Sequence, residues 1–332
     1  MRNNFLKTAV LGAGYMGQNH IRVLSSQPNV NIIAVCDIDR HKTKILAKQY
    51  KIKEYNNFYQ LIRNEALEVI FICLPTSLHF QAAREALTRK IAVFVEKPIC
   101  DSVVEAKKLI RLSNINKTAL MVGHIERFNP VVNEIKHRIK SGELGKLLQI
   151  HTQRFSPPPA RAHDVSAIID LATHDIDIIL YLVNEKPVRI YSETENRYHK
   201  KEDLMASLLR FKSGTIGLAE VSWLHPTKTR NLTVVGSNGM YTANYLTQEL
   251  FFYKQNNKAF NNKYRNNRNA NTWADVVKIA FEAREPLEIE LEAFIEALRA
   301  RAKMPVSGQD GLQALEMAQK MAKSGQIHKI VK

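Results

Sequence analysis

Two groups of residues have types and spacing that could carry chemistry. In FVEKPICDS an apolar run reaches Glu96, then Lys97 and Pro98. A lysine held on a stiff element where a strand ends suits a catalytic group. A plain strand-terminating ion pair accounts for the same letters. In DLATHDID, Asp170 stands four residues before His174, and Asp177 three after it. That spacing predicts one shared helix face. An imidazole is the side chain best suited to proton transfer near neutral pH. Asp177 reads as a capped or solvated position. His174 and Asp177 lack a third ligand in sequence, so no metal site is expected.

The first group needs a sheet edge to present it. LKTAVLGAGYMGQNHIRVLSS reads as strand, glycine turn and helix, with Gly12, Gly14 and Gly17 in G-x-G-x-x-G spacing around Tyr15 and Met16. The first glycine permits a tight turn, the second lets backbone approach a pyrophosphate, and the third lets helix and strand pack closely. The helix N-terminus then offers free N–H groups to phosphate. A second strand, NIIAVCD, ends in Asp37, about 20 residues beyond the last glycine, where a carboxylate takes a ribose 2′-hydroxyl. That favours NAD over NADP, with Arg40 and Lys42 softening the preference. EVIFICLP, AVFVE and TALMVGH then alternate with helices over 77 to about 89 and 102 to about 112. The pattern predicts a doubly wound parallel sheet over 1–124. Its ligand rim should gather Gly12 to Gly17, Asp37, Pro75, Thr76, His79, Glu96, Lys97 and His124. Pro98 stops the ladder and stiffens Lys97. The Lys97–Pro98 bond is expected to be trans, since only about 5–6% of X–Pro bonds are cis.

The second group needs a helix on a different scaffold. After GHIERFNP come a helix over about 130–141, a strand KLLQIHTQRF, a proline brake at 157–159, and the helix that carries His174. From about 187 to 253 short runs joined by KSG and SNG read as a hairpin meander. Two helices follow, over about 287–303 and 309–323. The second domain is therefore set at 125–332.

Composition narrows the class. The 332 residues are 45% hydrophobic and 24% charged, as in ordinary globular proteins, and no run nears a membrane span. The N-terminus lacks signal-peptide sections, so a cytoplasmic protein is expected. The cysteines, Cys36, Cys73 and Cys100, read as small core residues. The net charge of +16 suits an anionic ligand. The dense basic stretch over 256–269 is asparagine-rich and reads as a solvated loop, so no nucleic-acid partner is expected.

VLGAGYMG, EKP, the Asp170–His174 pair, VVGSNGM and PVSGQDGLQALEMAQKM together resemble the Gfo/Idh/MocA family of NAD(P)-dependent sugar oxidoreductases over nearly the whole chain. The resemblance implies a Rossmann domain, then an α/β domain with a large open antiparallel sheet, and homodimers or homotetramers built through that sheet. It implies that Lys97 contacts nicotinamide ribose and substrate hydroxyl, with His174 as proton-transfer partner. Asp170 then binds the sugar or holds His174, and Glu96 fixes the lysine or the ribose. GHIERFNP and YLTQEL are similar to the branch of UDP-N-acetylglucosamine 3-dehydrogenases. The implied reaction is NAD-dependent oxidation of a UDP-sugar 3-hydroxyl, UDP-N-acetylglucosamine to its 3-keto form, for cell-surface glycan or lipid A synthesis. By that resemblance Arg127 and Asn129 lie by the sugar nucleotide. Arg154 and Arg161 are candidates for the diphosphate, because guanidinium forks match phosphate oxygens. Surface charge is the plain alternative for each arginine, and a helix cap for Asn129. The chain departs from the family at Lys90 and Ala172, where glycines are usual, and at Leu74-Pro75-Thr76, where Thr-Pro-Asn is usual. Rival functions are a UDP-N-acetylglucosaminuronate 3-dehydrogenase, an inositol-type polyol dehydrogenase, and a non-catalytic NAD sensor.

Overall fold

The computed structural model describes residues 5–158, 166–198, 200–255 and 274–332. The chain divides into two compact units: Met1–Ile125 with Glu285–Glu316, and Glu126–Arg284 with Met317–Lys332.

In the first unit the chain runs β1 (Leu6–Leu11), α1 (Tyr15–Ser26), β2 (Val30–Cys36), α2 (Arg40–Tyr50), β3 (Lys53–Tyr55), α3 (Phe58–Asn64), β4 (Val69–Ile72), α4 (Thr76–Thr88), β5 (Ala92–Glu96), α5 (Val103–Asn116) and β6 (Leu120–Gly123). All pairings are parallel, in the order β3-β2-β1-β4-β5-β6. Helices on both faces explain why β4 and β6 are buried at every residue and read as unbroken apolar runs. The order reverses beside β1, and ligands of such sheets lie at that switch point, outside the carboxyl ends of the strands. Lys90, where a glycine was expected, takes the glycine's conformation, with φ of 60°. That left-handed residue lets the chain leave α4 and enter β5, at a cost of roughly 1–2 kcal/mol.

In the second unit a 3-10 turn (Ile125–Phe128), whose first residue belongs to the first unit, leads to α6 (Pro130–Lys140) and β7 (Leu147–Phe155). A π-helical turn (Ile168–Ala172) runs straight into α7 (Thr173–Val183). Then come β8 (Pro187–Glu195), β9 (Leu204–Phe211), β10 (Ile216–Ser222), β11 (Thr229–Gly236), β12 (Gly239–Asn244), β13 (Glu249–Gln255) and β14 (Ala274–Lys278). The eight strands lie in the order β14-β13-β12-β11-β7-β10-β9-β8. The sheet is largely antiparallel, with one departure from a pure meander. β7 inserts between β10 and β11 and pairs parallel with β10. β14 was not among the runs read from sequence. Along β9 buried and exposed residues alternate, so one face is packed. α7 lies against β7 and β10.

The final helices are α8 (Pro286–Ala300) and α9 (Gly308–Ile327). The contiguous division at 125 is therefore incomplete, because residues 285–316 rejoin the first unit. The cause is packing: Phe294 of α8 sits 5.6 Å from Phe71 and 5.4 Å from Phe94, ring centroid to centroid. Among the described residues no helix is long and apolar enough to cross a membrane.

Candidate active site

The rim of the first unit is built by the backbone. Gly12 has φ of +100°, and a Cβ on it would lie 2.3 Å from the carbonyl oxygen of Cys73. A Cβ on Gly17 would lie 1.8 Å from the Gly12 carbonyl oxygen, so α1 can start this close to the turn only with glycine there. Gly14 differs, because a Cβ on it meets nothing within 4 Å. It precedes α1 and brings no side-chain cap, so the helix's first N–H groups face outward, as a phosphate cradle requires. Tyr15 is exposed and Met16 half-buried beside it. The Asp37 carboxylate accepts from the Ala13 amide at 2.6 Å and the Asp39 amide at 2.9 Å. It thus ties the glycine turn to the end of β2 and keeps an anion at the rim. Pro75 is exposed and Thr76 half-buried at the start of α4. Lys42 Nζ pairs with Asp39 at 3.1 Å.

Three rim expectations change. His79 is fully buried, with Nδ1 2.8 Å from the Pro98 carbonyl and Nε2 2.8 Å from the Leu74 carbonyl. Burial lowers its pKa against the pull of those carbonyls. Both ring nitrogens are engaged, so His79 ties two rim loops together and presents nothing to a cofactor. The Lys97–Pro98 bond is cis. Glu96 accepts from, or pairs with, His20 Nε2 at 2.7 Å. His20, on the buried face of α1, was not picked out from sequence; its only signal was a polar letter at an otherwise apolar helix position. Lys97 is half-buried and His124 buried, next to the ends of β5 and β6. Cys73, His20 and Glu96 bring one ligand-type atom each within 4.8 Å of one another. Burial pushes the Cys36 and Cys100 thiols up to about 12 and Cys73 well above its usual value, which fits core thiols.

In the second unit His174 opens α7. It is half-exposed, whereas residues 171–173 and 175–180 are all buried. Asp170, on the π turn, is half-buried. The three-residue face predicted for Asp170, His174 and Asp177 breaks at Asp177. That carboxylate is buried and takes a two-pronged ion pair from Arg127, with Nε at 2.7 Å and Nη2 at 2.6 Å. Asp175, also missed, is the partner of Arg154, whose Nε lies 3.0 and 3.1 Å from its two oxygens. Arg154 Nη1 donates to Glu126 at 2.9 Å. Burial pushes the Asp175 carboxyl up to about 6 although Arg154 opposes it. Burial works to lower Arg154, but Asp175 and Glu126 outweigh it and raise it. Arg230, which donates to the Phe155 carbonyl at 2.6 Å, falls to about 10 through burial and the Arg154 charge.

Sequence reasoning set Arg127, Asn129 and Arg154 beside a substrate, and here each engages protein groups, with Arg154 Nη2 buried and left without a partner among the described residues. The side chains of Arg127 and Arg154 are 9% and 4% exposed and face carboxylates. Asn129 is buried; it caps α6 at the Val131 amide (3.3 Å) and donates to the Tyr245 carbonyl (3.3 Å). Arg161 and the basic stretch over 256–269 lie outside the described residues. An arginine and an aspartate 50 positions apart carry no local sign that they pair.

Comparison with known proteins follows the same two-part layout. Residues 6–124 match the model of the oxidoreductase family with an NAD-binding Rossmann fold, and residues 132–242 match the GFO/IDH/MocA C-terminal domain. The oxidoreductase YrbE of Bacillus subtilis is 26% identical over 94% of this chain and 92% of its own. UDP-N-acetylglucosamine 3-dehydrogenase of Acidithiobacillus ferrooxidans is 22% identical over 94% of this chain and 95% of its own. A solved structure of the enzyme of that name from the same organism superposes with a TM-score of 0.85 at 20% identity, covering 97% of this chain and 98% of that one. Inositol 2-dehydrogenase of Salmonella paratyphi B is 30% identical over 56% of this chain and 57% of its own.

Proposed function

The chain belongs to the GFO/IDH/MocA oxidoreductase family, and from that premise we propose that it oxidises the 3-hydroxyl of a UDP-sugar, UDP-N-acetylglucosamine to its 3-keto form. What supports this substrate is the pair of segments GHIERFNP and YLTQEL, since coverage does not separate the readings: the similarity spans 94% of the chain for a UDP-N-acetylglucosamine 3-dehydrogenase, and 56% and 98% for two inositol 2-dehydrogenases. Identity over the shorter span, 30%, keeps a polyol as the second reading. A uronate substrate would need a cation for its carboxylate, and Arg127 and Arg154 are already paired with aspartates.

NAD, when bound, supplies the hydride acceptor. The protein's residues fit it: an open Gly14 at an uncapped helix start, glycines where a Cβ would collide, and an anionic Asp37 that disfavours a 2′-phosphate. In this reading the Gly12–Gly17 turn receives the pyrophosphate and Asp37 a ribose hydroxyl. His174 takes the proton from the reacting hydroxyl at a ring nitrogen. Lys97 orients that hydroxyl and steadies its oxygen as charge forms, which helps only in the transition state. Glu96, held by His20, keeps the end of β5 in place. Asp170 contacts the sugar or His174. Homodimers or homotetramers built through the second sheet and a place in cell-surface glycan or lipid A synthesis belong to the same reading.

The test is absorbance at 340 nm with NAD and UDP-N-acetylglucosamine, a 2-oxo acid in a parallel tube, and product by mass spectrometry. A UDP-sugar two mass units lighter, with deuterium lost only from a C3-labelled substrate, is the expected product. Oxidation of inositol alone would replace the substrate. No oxidation of any sugar or polyol would leave an NAD-binding sensor.

A further inference from the structure

We infer that Arg154, with Arg127 opposite it, is a positioning residue: the two arginines clamp the first turn of α7 and so fix where the His174 ring points. The inference rests on the reading of His174 as proton acceptor.

The front of α7 is lightly anchored by its own chain. It continues from a π-helical turn, where Ser166 Oγ accepts from the Ile169 amide at a long 3.4 Å, and Ala172, just before α7, brings no side-chain cap. Yet its azimuth matters. An α-helix turns about 100° per residue, so a rotation of one residue would replace His174 by a buried neighbour. Asp175 and Asp177 are two residues apart and therefore about 200° apart around the axis, on opposite sides of the helix. Arg154, from β7, holds the first. Arg127, from the 3-10 turn, holds the second. One ion pair leaves a helix free to roll about it, whereas two on opposing sides do not. The clamp closes on itself, because Glu126, next to Arg127 in the chain, holds Arg154 at 2.9 Å. Glu126 and Asp175 both hold Arg154, so its charge is already matched by carboxylates of this chain. Burial is that of a structural lock: the Arg154 side chain is 4% exposed and Asp175 1%.

The experiment uses full-length protein with ring-labelled histidine. His174 is assigned among the 11 histidines as the signal lost in His174→Gln. Arg154→Lys keeps the charge and removes the fork. In that variant the His174 resonance should shift or double while the other histidine signals stay. Turnover of UDP-N-acetylglucosamine with NAD should lose about 10- to 100-fold in kcat, the scale of a small misplacement, with KM within about twofold. An unmoved His174 signal, or a loss confined to KM, would overturn the inference and return Arg154 to substrate contact. Asp175→Asn breaks the same pair from the other side, carries the same expectation, and replaces Arg154→Lys if that variant does not fold. If the wild type oxidises no sugar nucleotide, the proposed function fails, and the His174 resonance alone decides the clamp.

Discussion

At the rim of the first unit, candidate groups are placed by the main chain. Glycines let the turn pass under β4, Asp37 grips two amides, and Lys97 stands where β5 stops. At the front of α7 the placing is done by side chains, in ion pairs whose partners lie 21 to 50 positions away. A site built mainly by backbone is damaged first by steric change. A site built from buried ion pairs is damaged when one charge is removed and tolerates removal of both.

The largest expected effect follows from the proposed roles of His174 and Lys97. His174→Ala and Lys97→Ala, each checked for folding by circular dichroism, should lower kcat by about 10²- to 10⁴-fold in the NAD-dependent assay. Wild-type turnover in both would remove the reason for either region's geometry. Next comes Arg127→Met. It takes the two-pronged guanidinium away from the buried Asp177 carboxylate and should cost about 3–5 kcal/mol in urea denaturation. Arg127→Met with Asp177→Leu removes both charges and should recover most of that. A double variant as weak as the single one would mean that Arg127 matters for packing, including its stack 4.9 Å over the Tyr181 ring, and not for charge.

The same division explains what the sequence disclosed. The parallel sheet, its rim and the glycine turn were legible because period, spacing and topology are local or nearly so. Lys90 shows how robust that is, since it takes φ of 60° where glycine was expected. Asp175, Arg230 and His20 were not legible, because nothing near a buried charge in sequence names its partner. For that reason Arg127, Arg154 and Asn129 looked like substrate groups: an unpaired cation in a motif and a paired one are written with the same letter. The insertion of β7 between β10 and β11, and the return of α8 to the first unit, depend on contacts between distant apolar faces.

Within the rim the glycines can be separated. Gly17→Ala puts a methyl 1.8 Å from the Gly12 carbonyl and should destabilise the first unit outright. Gly14→Ala meets no protein atom within 4 Å and should melt like wild type. Its NAD affinity, by isothermal titration, should still fall about tenfold or more, about 1.4 kcal/mol, because the added Cβ stands where backbone meets pyrophosphate. Equal stability losses in both variants would show that the turn's spacing serves folding alone.

A further effect, of similar size, is one of pH, and its sign separates burial from pairing at Asp175. Burial pushes this carboxyl from the usual 3.8 up to about 6, with Arg154 acting the other way. Between those values the folded state keeps a proton that the unfolded chain has lost. Stability from this group is therefore greatest below pH 3.8 and falls as pH rises toward 6, after which it is level. Had the ion pair dominated, the pKa would be depressed and stability would rise with pH instead. Each pKa unit corresponds to about 1.4 kcal/mol, so across the upper part of this window the change should be on the order of 1–2 kcal/mol. Urea midpoints of wild type and Asp175→Asn, compared from about pH 4.5 to 6.5, give the answer as a difference. The wild-type advantage should shrink as pH rises through this range. An advantage that grows would mean that Arg154 outweighs desolvation, and that the clamp on α7 stabilises the fold as well as orienting His174.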